Sequence, residues 1–305
     1  IEFDDMAEET LKRKITVGWA AMIQHYFLGA EVPSKEEGND YYSRVPGDGR
    51  YILGMTGAEL SVAPGATANL NATLFVGPKL QDELEQVAEG LELTVDYGIL
   101  TILAKPLFWL LKFFHGFVDN WGWSIILLTM LIKAAFYKLS ETSYKSMAQM
   151  RKMQPKLKAL KENYGDDKKK MNEAMMRMYR EEKINPLGGC LPILVQIPVF
   201  IALYWTLLES VEIRQQPFML WITNLTAQNP YYILPVLMGA TMLIQHKLNP
   251  TPLDPIQARV MMILPIAFTF FFLFFPAGLV LYWVVNNTLS IAQQYYITRV
   301  VIGDK

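Results

Sequence analysis

A single lysine lies inside a long apolar run of the sequence, and its position suits electrostatic attraction better than bond making. The run extends from Trp123 to Tyr137, and Lys133 is its only charged residue. A cation at the centre of a membrane span costs about 2.5 kcal/mol or more to insert, so it usually faces a wet cavity or a partner. The sequence therefore predicts a hydrated groove with a positive charge at Lys133.

The side chain of Lys133 could instead reach the inner headgroups by snorkelling. It lies about ten residues, or some 15 Å, from the inner end of the predicted membrane span 123–142, which is further than a lysine side chain extends. Thr129 precedes it by one turn on the same helical face, so a hydroxyl and an ammonium group share one stripe. This arrangement favours a groove over snorkelling.

Other apolar runs also contain polar residues that could face the same groove. Gln196 lies within one of them, and amides and hydroxyls crowd the inner half of the last run, just after two aromatic residues. Such groups can equally form hydrogen bonds between helices, and for Gln196 or Asn287 alone both explanations remain open. The candidate groove residues are Lys133, Thr129, Gln196, Tyr282, Trp283 and Asn286.

Apolar residues make up 52% of the chain and cluster in long runs, which is typical of a polytopic membrane protein. Five runs reach or approach the roughly 20 residues that a bilayer-crossing helix requires. The last two must be separate, because one helix of about 55 Å would far exceed a hydrocarbon core of roughly 30 Å. Pro276 and Gly278 supply the membrane hairpin turn between them. The predicted spans are 123–142, 187–208, 231–247, 260–275 and 277–298.

The formal net charge of −1 hides a strong internal asymmetry. Residues 1–96 are acidic, whereas residues 143–186 carry an excess of Lys and Arg. The positive-inside rule therefore places 143–186 in the cytoplasm and the acidic domain on the opposite face. The same count makes 209–230 a periplasmic loop, 248–259 a cytoplasmic loop and 299–305 a cytoplasmic tail.

Residues 97–122 are apolar enough to form a further span, but we interpret them as an amphipathic helix in the outer interface. Lys105 and Lys112 are two turns apart and hence on one face, and Pro106 interrupts the run. If this segment crossed the membrane instead, the acidic domain would move to the basic side.

Residues 1–96 are predicted to contain β-structure, because strand formers alternate between turn-rich segments such as Val45–Gly49. Residues 78–92 look helical instead, with Leu80, Leu84 and Leu91 on one stripe. The segment is short for a sandwich, so we expect it to be the C-terminal part of a larger β-sandwich domain. It offers no catalytic constellation and is predicted to be a structural or docking module.

The basic segment 143–186 is predicted to fold as a helical hairpin, with a turn-rich break at Asn163–Asp167. Methionines form a stripe on each helix. They could simply hold the two helices together, or they could offer an adaptable surface to varied apolar partners. The basic exterior could contact anionic lipid or ribosomal RNA. The methionines of this candidate docking hairpin are Met147, Met150, Met153, Met171 and Met175.

The sequence contains no recognisable catalytic or metal-binding constellation. Cys190 is the only cysteine, and the three histidines are far apart. An intramembrane hydrolase is disfavoured because no Asp or Glu lies inside the predicted spans. A small-solute transporter or channel is the alternative function, although the internal repeat common in transporters is missing from the sequence. We predict no enzyme activity, no metal and no cofactor.

Three motifs carry a resemblance to a known family. Asn185–Phe200, Gln228–Pro235 and Phe275–Trp283 are similar to segments of the YidC membrane insertase family, and the similarity covers 97–300. In the Gram-negative branch, a first transmembrane helix and a large periplasmic β-sandwich precede a five-helix core. The resemblance therefore implies a polytopic α-helical membrane protein with a hydrophilic groove, and a natural chain that extends further before Ile1.

The resemblance also implies a function in the bacterial inner membrane. Members of the family receive nascent membrane proteins, alone or beside the Sec translocon, and release them laterally into the phospholipid bilayer without ATP hydrolysis. The expected partners are thus nascent chains, the ribosome, the Sec translocon and lipid, but not DNA. The groove cation of the family maps onto Lys133, where arginine is commoner, and lysine lacks the planar fork for bidentate pairing. Thr129 and Trp283 would line the substrate path, the latter where tyrosine is more usual.

Overall fold

The computed structural model divides the chain into two compact units, which are described separately. The first comprises Ile1–Asp96 with Glu209–Glu212, and the second comprises Tyr97–Leu208 with Ile213–Lys305. Side chains at 161, 168, 193 and 255–257 are not described. The structure describes residues 2–16, 18–33, 38–165, 167–182, 191–249 and 255–302.

The first unit contains the β-structure predicted for residues 1–96. Its strands form two three-stranded antiparallel sheets, and the short helix α1, Phe3–Glu8, precedes them. One sheet has the order β1-β4-β5 and the other has the order β2-β3-β6. Assembly of these strands into a larger sandwich stays a prediction. The strands are β1 Lys12–Ile15, β2 Ala20–Ile23, β3 Phe27–Pro33, β4 Asn39–Arg44, β5 Ile52–Thr56 and β6 Ala72–Pro78.

A short helix, α2 at Gln81–Val87, packs against the β2-β3-β6 sheet. Leu84 and Leu91 are fully buried beside Leu28 and Ala30, which alternate on one face of β3 as a half-buried strand requires. The helix is shorter than the predicted 78–92. It stops because Ala88 is extended and Gly90 adopts a left-handed conformation with φ of 79°, after which Leu91–Thr94 forms a 3₁₀ turn.

The second unit is helical. Most of its helices pack through apolar faces, and α10 packs against both α4 and α8. After α10 the chain continues as a π-helix over Ile297–Val301. The helices are α3 Thr101–Val118, α4 Trp121–Ala135, α5 Tyr137–Tyr164, α6 Lys168–Glu181, α7 Leu191–Glu209, α8 Ile233–Leu248, α9 Pro255–Phe272 and α10 Ala277–Tyr296.

The predicted span 123–142 is not one straight helix. α4 ends at Ala135, α5 begins at Tyr137, and the two are bent by 66°. Phe136 at the junction has ψ of 13°, outside the helical range, and its amide bonds both Ile132 and Ala134 carbonyls. The bend therefore lies less than one turn after Lys133.

One described helix is long and apolar enough to cross a bilayer. It is Gly98–Val118, which consists of α3 and the helical turn that precedes it. The bent pair α4 and α5 would make a second, and the apolar parts of α7, α8 and α9 are shorter. α8 has 16 residues, hence a length of about 24 Å against a hydrocarbon core of roughly 30 Å. The five-helix membrane core and the interfacial placement of 97–122 therefore stay predictions.

The segment between α7 and α8 packs onto the first turns of α4 and α10. Asn120 caps α4 by accepting from the Trp123 amide at 3.1 Å, and its side-chain amide donates to the Phe218 carbonyl at 3.0 Å. The Gly278 amide donates to the Leu225 carbonyl at 2.8 Å. The predicted turn at Pro276 and Gly278 is present between α9 and α10, and glycine at 278 permits this close backbone approach.

Helices α5 and α6 form the predicted hairpin, and Gly165 at the break has φ of 51°. Its core consists of Met153 and Leu157, which are buried against residues of both helices. Asp167 caps α6 by accepting from the Lys170 amide at 3.1 Å, and the same contact lowers the pKa of the Asp167 carboxyl. The partly buried side chains around the core are Met150, Met175, Met178 and Tyr179.

Candidate functional site

Lys133 lies in the last turn of α4 and is directed toward α10. Its ammonium group donates a hydrogen bond of 2.7 Å to the hydroxyl of Ser290. None of the ion pairs among the described residues involves Lys133. Among the described residues, the partner of this cation is thus a neutral hydroxyl and not a carboxylate.

Gln196 joins α7 to the same face of α10. Its side-chain amide donates to the Asn286 side chain and, at 3.3 Å, to the Tyr282 hydroxyl. Residues 282, 286 and 290 are spaced by four, so they form one stripe along α10. The structure therefore brings four of the predicted groove residues together, namely Lys133, Gln196, Tyr282 and Asn286.

A small cavity that is open to its surroundings lies beside this polar stripe, between the α4–α5 bend and α7. Its polar lining comes from Lys133, Ser140 and Gln196. The rest of the lining is apolar, with Phe136 at the bend and Val199 on α7. One cation beside a largely apolar lining can attract a negatively charged group. The remaining lining residues are Ile132, Leu139, Pro192 and Val195.

Thr129 does not line this cavity. It is 1% exposed, and its hydroxyl donates to the Ile125 carbonyl of its own helix at 2.6 Å. A role for Thr129 in contacting substrate therefore requires the helices to move apart, and it stays a prediction.

Trp283 lies in an aromatic cluster that joins α7, α9 and α10. Its ring centroid is 4.7 Å from Phe200 and 5.5 Å from Phe272. Among the residues described, no acceptor pairs with its buried indole N–H. The cluster gives one side of the site an apolar wall with a single free donor. Its role in the substrate path also stays a prediction.

A second polar stripe of α10 faces α8. The Asn287 side-chain amide donates to the Thr241 hydroxyl at 3.2 Å, and Gln245 donates to Gln294 at 2.5 Å. These are interhelical hydrogen bonds, the explanation that the sequence left open for Asn287. The two stripes of α10 thus differ: one bonds to α8, and the other faces the lysine and the cavity.

The partner of Lys133, Ser290, was not predicted as a groove residue. Its spacing of four from Asn286 and eight from Tyr282 is the signal that could have identified it. Within the described ranges, no group of three or more acidic, histidine or cysteine side chains could hold a metal ion. Cys190 lies outside the described residues.

The methionines of the hairpin divide into two groups. Met153 is 6% exposed and belongs to the hairpin core, with Met150 and Met175 packed against it. Met147 and Met171 are half-buried, and Met176 is 45% exposed. The inner methionines thus hold the two helices together. A docking role is left to the more exposed ones.

Comparisons with known proteins identify the class to which this fold and site belong. Residues 113–304 match the family described as 60Kd inner membrane protein, and residues 1–110 match the YidC periplasmic domain. The chain belongs to the YidC family of inner membrane proteins.

Individual relatives carry the same family name. The membrane protein insertase YidC of Nitrosococcus oceani is 60% identical over 98% of this chain, which covers 55% of that protein. Its counterpart from Alkalilimnicola ehrlichii is 62% identical over 98% of this chain and 53% of that protein. The chain therefore spans about half the length of the curated relatives that it matches.

A solved structure shares the fold. The crystal structure of an active YidC insertase with its first transmembrane domain resolved matches with a TM-score of 0.58 at 20% identity. The match covers 94% of this chain and 80% of that one.

Proposed function

We propose that this protein inserts nascent proteins into the bacterial inner membrane through a groove at Lys133 and releases them laterally into lipid. The observation that carries the proposal is the ammonium group beside a cavity with a serine hydroxyl as its partner. Family membership supports it, because the relatives are named membrane protein insertases. The reaction needs no covalent chemistry.

The proposed membrane arrangement follows the charge pattern. The β-unit is periplasmic, the α5–α6 hairpin and the C-terminus are cytoplasmic, and α3 lies in the outer interface. α4, α7, α8, α9 and α10 form the five-helix core. One face of α3 packs inward through Leu107 and Leu111, while Trp109 and Phe117 are exposed, as a helix in contact with the interface requires.

The attraction of substrate to Lys133 follows from hydrogen-bond strength. The bond from the ammonium group to Ser290 is charge-assisted on the donor side only, whereas a carboxylate would add a full opposite charge to the acceptor side. An acidic residue of the substrate therefore bonds to Lys133 through one of the ammonium donors that Ser290 does not occupy. The positive charge draws a short polar segment part-way into the membrane and lowers its desolvation barrier.

Short helices reduce the distance that the substrate segment still has to cross through the bilayer. The apolar parts of α8 and α9 are too short to fill a standard bilayer, so lipid beside them thins. The apolar segment of the substrate then moves along the Trp283 cluster and partitions into lipid. Burial of apolar surface, at roughly 25 cal/mol per Å², drives this last step.

The partners of the hairpin follow from its chemistry. Its outer faces carry exposed lysines and arginines that can meet ribosomal RNA or anionic lipid. We propose that it makes the first contact with the ribosome or the nascent chain, and that the protein acts either alone or beside the Sec translocon.

Photocrosslinking during synthesis of a small membrane protein tests the substrate path. Probes replace Val199 in the cavity, Trp283 in the aromatic cluster, and Phe271, which is 56% exposed, as a lipid-facing control. We expect substrate adducts at Val199 and Trp283. Adducts at Phe271 alone would contradict the path. A probe at the buried Thr129 reports whether α4 separates from its neighbours during insertion.

Substitutions in the hairpin separate its structural methionines from its exposed ones. Met153→Asp places a carboxylate in the hairpin core, and an unpaired buried charge is strongly destabilising. We expect cleavage within 143–182 by limited proteolysis to accelerate at least about tenfold. Met176→Asp introduces the same charge on the exposed face and should leave proteolysis unchanged. Equal rates in the two variants would show that Met153 does not support the hairpin.

A further inference from the structure

A second small, open cavity lies where α5, the end of α8 and the end of α10 meet. α5 contributes Arg151, α8 contributes its last residue, Leu248, and the π-helix that follows α10 contributes Thr298. Its lining shares no residue with the cavity beside Lys133. π-Helical turns are frequent at functional sites, so this cavity requires an explanation of its own. The remaining lining residues are Tyr144, Met147, Ala148 and Gln294.

The floor of this cavity is held in place by Gln294, which is 4% exposed. Its side-chain amide donates to the Leu248 carbonyl and to the Asn249 side chain, each at 3.3 Å. These bonds fix the end of α8 to α10 and use both protons of the Gln294 amide. The rest of the floor is largely apolar, with Met147 and Ala148 on α5.

The rim of the cavity offers unused hydrogen-bond donors. Arg151 is exposed, and among the described residues neither an ion pair nor a hydrogen bond engages its guanidinium group or the Thr298 hydroxyl. A guanidinium group presents its donors in a planar fork that matches a phosphate bidentately. The site therefore combines an arginine fork and a hydroxyl with an apolar floor.

The charges around the cavity are positive. The sequence contains no Asp or Glu in 142–161, 213–253 or 255–303, the stretches that supply all of the lining. Lys247 and Arg299 are exposed and stand next to the lining residues Leu248 and Thr298 in the chain. No neighbouring carboxylate in these stretches competes for Arg151, and the local charge favours an anion.

We propose that this cavity binds the phosphate of an anionic phospholipid of the inner leaflet. Arg151 and Thr298 contact the phosphate at the rim, and the apolar floor packs against the glycerol ester of the lipid. The inference rests on the proposed membrane arrangement, which places the ends of α8 and α10 at the cytoplasmic headgroups. Basic pockets between membrane helices on this side bind acidic lipid headgroups. The lipid would link the base of the hairpin to α8 and α10.

Native mass spectrometry of the full chain in detergent, titrated with phosphatidylglycerol, tests the site. Arg151→Gln should weaken binding of the first lipid about tenfold, because it removes a charge-assisted bidentate contact. Arg151→Lys keeps the charge without the fork and should be intermediate. The matched control is Arg177→Gln, which removes an exposed arginine of α6 outside the cavity and should change binding less than about twofold. Equal weakening by Arg151→Gln and Arg177→Gln would overturn the proposal.

Two further measurements identify the ligand. Thr298→Val keeps the shape of the side chain without the hydroxyl and should weaken phosphatidylglycerol binding by about threefold. Zwitterionic phosphatidylcholine should bind more weakly than phosphatidylglycerol and be insensitive to Arg151→Gln. Displacement of phosphatidylglycerol by millimolar inorganic phosphate would overturn the assignment to a lipid.

The titration contains no substrate and no ribosome, so it is independent of insertion. If Lys133→Glu failed to lower insertion, the proposed function of that cation would be wrong, while the lipid titration would still decide the site at Arg151. Conversely, unchanged phosphatidylglycerol affinity in Arg151→Gln would overturn the lipid site and leave the proposed function standing.

Discussion

Lys133→Glu is expected to lower insertion of substrates with acidic exported tails at least tenfold. Two unit charges about 4 Å apart interact with about 4 kcal/mol at an effective dielectric constant of about 20, and the substitution turns this attraction into repulsion. A loss of 1.4 kcal/mol already corresponds to about tenfold. The measurement is the protease-protected fraction of a substrate inserted into proteoliposomes, with paired substrates whose tails differ only in Asp or Asn.

Two control variants make this result specific. Lys133→Arg keeps the charge, so insertion should be retained. Lys138→Glu reverses a charge five residues away whose side chain is 90% exposed, and its pair with Glu141 is a surface pair that contributes little. It should leave insertion within about twofold of the unsubstituted protein. If Lys138→Glu lowered insertion as much as Lys133→Glu, insertion would depend on the total charge of the cytoplasmic side and not on the cation in the groove.

The sequence was most informative where helical spacing places polar groups in an apolar environment. The sequence could predict one site from four polar residues, because burying each polar side chain at membrane depth costs free energy unless it has a polar partner. These residues are Lys133, Gln196, Tyr282 and Asn286. The structure brings all four to one side of α10. Periodicity also predicted the hairpin, since the stripe around Met153 continues on α6.

Contacts that depend on chain reversal could not be predicted in this way. The chain bends by 66° at Phe136, and the surrounding residues include neither proline nor glycine, the residues that usually mark such a bend in the sequence. Thr129 shows that helical spacing alone does not decide which side chains line a cavity. It shares a stripe with Lys133, but one turn earlier that stripe is packed among neighbouring helices, where the Thr129 hydroxyl bonds its own helix.

Strand pairing in the first unit shows the same limit. Alternation predicts that residues form strands, but it does not specify that β1 pairs with β4 or that β3 pairs with β6. Such partners are separated by many residues and are selected by side chains on the shared face. Ala30 opposite Phe75, under Leu84 of α2, is one such contact.

Gly122→Val is expected to displace the segment that covers the first turns of α4 and α10. A Cβ atom at Gly122 would lie 2.7 Å from the Phe218 Cβ atom and even closer to its ring. The base of the Phe218 side chain cannot rotate away, so the backbone of the segment must shift and the bond from Asn120 to the Phe218 carbonyl is strained. Overpacking of this kind costs about 1–3 kcal/mol. Thermal unfolding in nanodiscs and proteolysis within 213–230 should both show the loss.

Gly116→Val is the matched control for this substitution, because Gly116 also lies in a helix and a Cβ atom there would meet nothing within 4 Å. It carries the same change in helix propensity without the clash, so stability should change by less than about 1 kcal/mol. Adding Phe218→Ala to Gly122→Val removes the ring that the new side chain meets and should restore proteolytic protection in part. Equal destabilisation by Gly122→Val and Gly116→Val would mean that close packing against Phe218 does not hold this segment in place. In that case the bonds from Asn120 and Gly278 would have to hold it alone.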